Sequence, residues 1–195
     1  MQPPVLTRAH AAAGAWVVGG LAALLYLVQL VHLAVGFQLE WLLGIRPRVA
    51  SSLPDILSAP LVHVDWAHLG ANTLPLLVFG YLVFLAGRRA FATCLALSWV
   101  CSGTLVWLIG TGLTVGISGV DFGLFSFLLL RGFLNRSWQQ ILLSAALLLF
   151  YGGILLGLLP VDGRPISWQA HLGGALGGVA AAVVTRERAG RSLLP

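Results

Sequence analysis

Charged residues are scarce in this chain of 195 residues, and lysine is missing altogether. Only 9% of the residues are charged, whereas a soluble domain carries roughly 25%. The sequence therefore lacks the charge that a water-facing surface needs, which excludes a soluble globular protein. Instead, 58% of the residues are hydrophobic and the mean hydropathy is +0.94. These values identify an integral membrane protein.

Cysteine is also rare, with only Cys94 and Cys101 present. Along a helix the two residues are separated by about 10 Å, which is too far for a disulfide. No second pair of ligand residues accompanies them, so we expect no metal site. We also expect no cofactor. The net charge of +5 comes from arginines scattered between apolar runs. They form no basic face for nucleic acid and are more typical of membrane-topology signals.

Apolar runs of about 20 residues, the length that spans a bilayer, follow one another along the chain. We predict an all-α membrane protein with six transmembrane helices in a single domain, residues 1–195. A first loop, 37–64, is the longest polar connection. The predicted spans are approximately 11–36, 66–87, 90–108, 118–130, 138–159 and 166–185.

The arginines favour one orientation of this bundle, because cytoplasmic loops are enriched in basic residues. With six spans both termini lie on the same side, and that side carries eight of the arginines. They are Arg8, Arg88, Arg89, Arg131, Arg136, Arg186, Arg188 and Arg191. The other side carries three, Arg46, Arg48 and Arg164. We therefore expect cytoplasmic termini in a bacterial plasma membrane, and spans two, four and six that all begin on the outer face.

The predicted fourth span is unusually short. Residues 118–130 make about 20 Å of helix, against a hydrocarbon core of about 30 Å. If Arg131 marks the inner interface and ends the span, Ser118 lies well below the outer one. The preceding Gly- and Thr-rich segment must then descend into the membrane, where irregular backbone is tolerated only in protein or beside water. We expect a recessed fourth helix and a hydrated pocket that opens outward.

Polar side chains in three spans converge at the depth of this pocket. His68 and Asn72 share one face of span two, Ser118 opens span four, and His171 lies in the first turns of span six. Each has a structural alternative when taken singly, as a snorkelling histidine, an amide that joins helices or an N-cap. Asp121 is expected to cap the fourth helix. Four polar residues at one depth instead favour a functional site.

Three motifs lie on alternate spans: His68-Leu-Gly-Ala-Asn72, Gly116-Ile-Ser-Gly119 and Ala170-His-Leu-Gly-Gly-Ala-Leu-Gly-Gly178. They resemble the motifs of the rhomboid intramembrane serine proteases. The resemblance covers nearly the whole chain and implies a rhomboid-like six-helix bundle with a short, recessed fourth helix.

The resemblance implies an intramembrane serine endopeptidase that works through a Ser-His dyad. Ser118 is then the nucleophile and His171 the general base. The oxyanion is assigned to the side chains of Asn72 and His68 and to backbone at Ser118 and Gly119. Supporting positions are Gly116, Phe122, Gly174 and Gly178. Transmembrane proteins are the implied substrates and the lipid bilayer the implied partner, with entry past residues 138–167.

Two positions depart from the family pattern. Pro54-Asp55 stands where many members carry a Trp-Arg pair, which leaves the packing of the first loop open. Phe122 stands where many members have a tyrosine that stacks on the histidine; the ring is kept and the hydroxyl is lost. Two roles are open for His63, which are water retention and oxyanion support.

Two other functions compete with the protease. A catalytically silent rhomboid-like protein would act as a binding or trafficking factor, but such members usually lack the serine or the histidine. A small transporter or channel would need polar groups along a whole path, whereas here they cluster in one leaflet.

Overall fold

The computed structural model describes residues 7–161 and 166–186, and these are helical apart from loops and one isolated antiparallel bridge, Ile45 to Thr114. The all-helical class is therefore confirmed for the described part of the chain. Arg164, Arg188 and Arg191 of the topology argument lie outside it. The α-helices are α1 (Arg8–Ala34), α2 (Leu39–Leu43), α3 (Asp55–Ser58), α4 (Trp66–Leu85), α5 (Arg88–Ile109), α6 (Ser118–Leu134), α7 (Trp138–Tyr151) and α8 (Trp168–Val184), with 3-10 segments at Ala50–Ser52, Ala59–Leu61 and Gly152–Leu158.

Four helical segments are long and apolar enough to cross a membrane, so the chain is a multi-pass membrane protein. They are α1, α4, α5 and the continuous segment Trp138–Leu158. This last segment, called here the α7 arm, changes from α-helix to 3-10 helix at Gly152. Its outer surface is strongly exposed, since Leu149 and Phe150 are each 79% accessible.

Helix α6 is longer than the predicted span 118–130, because it continues to Leu134. Arg131 lies inside the protein instead of ending the helix. Its guanidinium donates to the Ala86 carbonyl at 3.4 Å and lies 5.7 Å from the Phe127 ring centroid. A buried cation needs such partners. Helix α6 continues past Arg131 to its C-cap, Asn135.

Glycines on α8 allow this helix to pack closely between α5 and α6. A Cβ added at Gly174 would overlap the Gly119 carbonyl, and one added at Gly178 would overlap the Gly123 carbonyl. On its other side, a Cβ added at Gly173 would lie 2.5 Å from the Cys101 carbonyl oxygen of α5. Small residues that repeat at this spacing let helix backbones approach one another. The packing of α6 on α8 therefore depends on glycine at both supporting positions named above, Gly174 and Gly178.

The first loop is hydrogen-bonded to the C-terminal end of α5. Arg48 donates to the carbonyls of Leu108 at 3.2 Å and Gly110 at 3.0 Å. Arg46 and Asp55 form an ion pair at 3.8 Å. In the structure, Asp55 of the Pro54-Asp55 departure thus has a cationic partner inside the loop itself.

Candidate active site

The N-termini of α4 and α8 are both capped, and each cap sets the position of a candidate side chain. Asp65 accepts the His68 backbone N–H at 2.7 Å and starts α4. Ser167 accepts the Ala170 N–H at 3.3 Å and starts α8, which puts His171 in the first turn. Side-chain oxygens at an N-cap satisfy amides that the helix leaves unpaired. The two histidines are therefore placed by local sequence.

Gly116 makes the turn that leads into α6. Its φ is +111°, a conformation that L side chains rarely adopt. A Cβ at this position would also lie 2.7 Å from His68 Cε1. The backbone is fixed by a hydrogen bond from the Gly116 N–H to the Ala59 carbonyl at 2.9 Å. Glycine is thus needed here for both conformation and space, and it brings the start of α6 against His68.

Ser118 and His171 meet between α6 and α8. The Ser118 Oγ lies 2.9 Å from His171 Nε2, while His171 Nδ1 lies 2.8 Å from the Gly157 carbonyl oxygen. The imidazole stacks on Phe122 with ring centroids 4.1 Å apart and planes 9° apart. His171 is buried and Ser118 is half-buried. The imidazole is therefore held at both nitrogens and on one face.

Hydrogen-bond donors lie on the α4 side of Ser118. The Asn72 Nδ2 is buried and has no partner among the described residues. It lies 3.8 Å from the position of a Cβ on Gly116, and His68 contacts the same point. The first amides of α6, those of Ser118 and Gly119, have no intrahelical acceptors and sit at the positive end of the helix dipole. These donors can form hydrogen bonds to a negative charge that develops beside Ser118.

Gly119 has no space for a side chain. A Cβ there would overlap Ser102 Oγ and approach the Ala170 carbonyl oxygen to 2.8 Å. The residue is therefore packed between α5 and α8.

The predicted capping role of Asp121 is wrong. The N-cap of α6 is Ile117, and both oxygens of the buried Asp121 lack a partner among the described residues. A capping box requires its acidic residue at the third helical position, and Asp121 is the fourth because the helix begins at Ser118. Nor does a carboxylate of the described residues accept from His171, whose Nδ1 faces the Gly157 carbonyl.

His63 supports the turn before Ser118. It is fully buried, and its Nε2 accepts the Ile117 N–H at 3.4 Å. Its ring meets the edge of the His68 ring at 5.0 Å. Burial, reinforced by the proximity of His68, lowers the pKa of His63 from 6.5 to about 3. The ring is therefore neutral at physiological pH and serves as an acceptor.

Gly157 is the site residue that the sequence analysis missed. A Cβ on it would lie 2.8 Å from His171 Nδ1 and 3.0 Å from Phe122 Cζ. Because its functional group is a backbone carbonyl, which every residue possesses, residue type alone does not single it out. The sequence offers one signal for this residue, which is a glycine among leucines near the end of the predicted fifth span.

Comparison with known proteins identifies the family of this chain. A family model described as the Rhomboid domain matches residues 50–188. An uncharacterised protein of Mycobacterium bovis is 44% identical over 194 residues, covering 91% of this chain and 80% of its own length. One of Mycobacterium leprae is 43% identical over 182 residues, with 86% and 71% covered. A protein of Acanthamoeba polyphaga mimivirus that is named as a rhomboid is 30% identical over 137 residues, with 66% and 72% covered. The chain belongs to the rhomboid family.

Proposed function

We propose that the protein is an intramembrane serine endopeptidase that hydrolyses peptide bonds in or near transmembrane segments of other proteins. The observation that carries this proposal is the 2.9 Å separation between Ser118 Oγ and His171 Nε2. A hydroxyl becomes an effective nucleophile when a neighbouring base takes its proton. Membership of a family that usually consists of intramembrane serine proteases supports the same chemistry.

In the proposed mechanism, the Ser118 oxygen attacks the scissile carbonyl while its proton passes to His171 Nε2. The carbonyl oxygen becomes an oxyanion, which accepts hydrogen bonds from Asn72, His68 and the first amides of α6. When the intermediate collapses, the C–N bond breaks and the protonated His171 gives its proton to the leaving amine. Water then attacks the acyl-enzyme by the same steps, which releases the acid and restores Ser118.

The proposed membrane arrangement has six crossings, formed by α1, α4, α5, α6, the α7 arm and α8. The 17 residues of α6 make about 25 Å of helix, which is shorter than a hydrocarbon core of about 30 Å. This length supports a recessed Ser118 that water reaches from the outer side. The arginine distribution supports cytoplasmic termini. Family resemblance supports lateral entry of the substrate past the α7 arm.

The test is cleavage of a model transmembrane substrate in proteoliposomes that contain the full chain. The proposal expects cleavage by the wild type and its loss, by several orders of magnitude, in Ser118→Ala and His171→Ala. A matched control is Ser51→Ala, which changes an exposed serine of the first loop and should leave the rate unchanged. Cleavage that persists in either dyad variant would contradict the proposal. Failure of the wild type to cleave any of a panel of transmembrane segments favours the catalytically silent alternative.

A further inference from the structure

The α7 arm reaches the catalytic histidine through backbone. The carbonyl oxygen of Gly157, in the 3-10 part of the arm, lies 2.8 Å from His171 Nδ1. This inference rests on the proposed function: we propose that this carbonyl is the positioning group that takes the place of the acidic third member of a Ser-His-acid triad. The arm that lies at the proposed entry route would then also determine whether the base is correctly oriented.

The first argument concerns the proton on the imidazole. For His171 Nε2 to accept the Ser118 hydroxyl, a neutral ring must carry its proton on Nδ1. An acceptor facing Nδ1 stabilises that tautomer, and the Gly157 carbonyl is placed to be this acceptor. When Nε2 gains the serine proton, the carbonyl dipole also faces the resulting imidazolium. Hydrogen bonds in which one partner is charged are about twice as strong as neutral ones.

The second argument concerns space around the carbonyl. A Cβ on Gly157 would lie 2.8 Å from His171 Nδ1 and 3.2 Å from Cε1. Positive φ values occur at Gly36, Gly87 and Gly116, but Gly157 is not among them. Close approach to the imidazole, and not backbone conformation, is therefore the reason for glycine here.

The third argument concerns the attachment of the arm. Its buried residues are Ser144 and Leu147, both in the α-helical part. Ser144 Oγ lies 3.0 Å from the Leu128 carbonyl oxygen of α6. The 3-10 part has no buried residue, and its Gly157 contacts His171. Within this part of the arm, the Gly157 carbonyl is the group that lies within hydrogen-bonding distance of His171.

The experiment compares two changes at the Gly157 carbonyl with matched controls in the full-length, reconstituted protein. Gly157→Ala adds a methyl group against the imidazole. Gly153→Ala is its control, since a Cβ there meets nothing within 4 Å. Replacing Leu158 by its α-hydroxy acid converts the Gly157 carbonyl into an ester carbonyl, a weaker acceptor with no added atom. The same replacement at Leu156 is the control for loss of one amide in this segment.

We expect Gly157→Ala to lower kcat by about 10²-fold, the effect of displacing a catalytic group by about 1 Å, with little change in KM. The ester at position 158 should lower kcat by about tenfold, the value of one hydrogen bond. In ¹⁵N spectra of imidazole-labelled protein, the wild-type His171 should be protonated at Nδ1, and the ester should reduce that population. Both controls should match the wild type.

Each outcome separates this proposal from the proposed function. If the wild type cleaves but the position-158 ester matches its control in kcat and spectrum, the positioning role is overturned, even when Gly157→Ala is slow, because that loss is then steric. If the wild type shows neither cleavage nor modification of Ser118 by a fluorophosphonate, the proposed function itself fails.

Discussion

Replacement of Gly174 by alanine should separate the side chains of Ser118 and His171 without touching either of them. A Cβ on Gly174 would overlap the Gly119 carbonyl oxygen and lie 3.0 Å from the Gly119 Cα. Both clashing groups belong to helix backbones, so rotation of a side chain cannot relieve the contact. Carbon atoms in ordinary contact are about 3.5–4.0 Å apart. To reach that separation, α6 and α8 would have to move apart by about 1 Å or more.

That displacement acts directly on the dyad, because Ser118 is on α6 and His171 on α8. Their 2.9 Å hydrogen bond would lengthen to about 4 Å, beyond hydrogen-bonding range. A misplacement of this size costs about 10²-fold in rate, or about 2.7 kcal/mol of activation free energy. Overpacking should also reduce the free energy of unfolding by about 1–3 kcal/mol.

The assay is kcat/KM for a reconstituted transmembrane substrate, together with a thermal melt of each variant. Gly20→Ala on α1 is the matched control, since its Cβ meets nothing within 4 Å, and it should keep wild-type activity. A Gly174→Ala variant that is as active and as stable as the control would refute the reasoning from helix packing.

Three further predictions concern single side chains. Asn72→Ala should lower kcat by about 10²–10³-fold with KM nearly unchanged, as loss of an oxyanion donor does; near-normal turnover would reduce Asn72 to a packing residue. Phe122→Leu should lower kcat by roughly three- to tenfold through loss of the ring stack on His171, and an unchanged rate would show that the stack does not orient the base. The pKa of His63 is about 3 in the folded protein, against a reference value of 6.5. As the pH is lowered, His63 is therefore protonated in the unfolded chain before it is protonated in the folded protein. Stability should therefore fall as pH decreases from about 6.5 towards 3, and His63→Gln should show a shallower fall; an equal slope would contradict a buried neutral His63.

The family and the all-helical membrane class were predictable because they depend on composition and on local motifs. The order of the motifs on alternate helices requires Ser118, His171 and Asn72 to approach one end of the bundle. Helix periodicity and the alternation of membrane crossings are enough to derive that approach. The catalytic assignment of these residues stays a prediction until activity is measured.

Other features depend on tertiary contacts that no local pattern encodes. Arg131 is buried within α6, where the carbonyl of Ala86, the C-cap residue of α4, accepts from its guanidinium. Asp121 fails as a cap because the helix starts one residue earlier than a capping box needs. Gly157 contacts His171 through its backbone carbonyl, and this contact depends on the tertiary position of the α7 arm.

The most direct test of the central claim is the site of modification by a fluorophosphonate, mapped by mass spectrometry in reconstituted protein. The dyad predicts a single adduct on Ser118 in the wild type and a rate of modification that falls by orders of magnitude in His171→Ala. An adduct on a different serine, or equal modification of Ser118 without the imidazole, would contradict a nucleophile activated by His171.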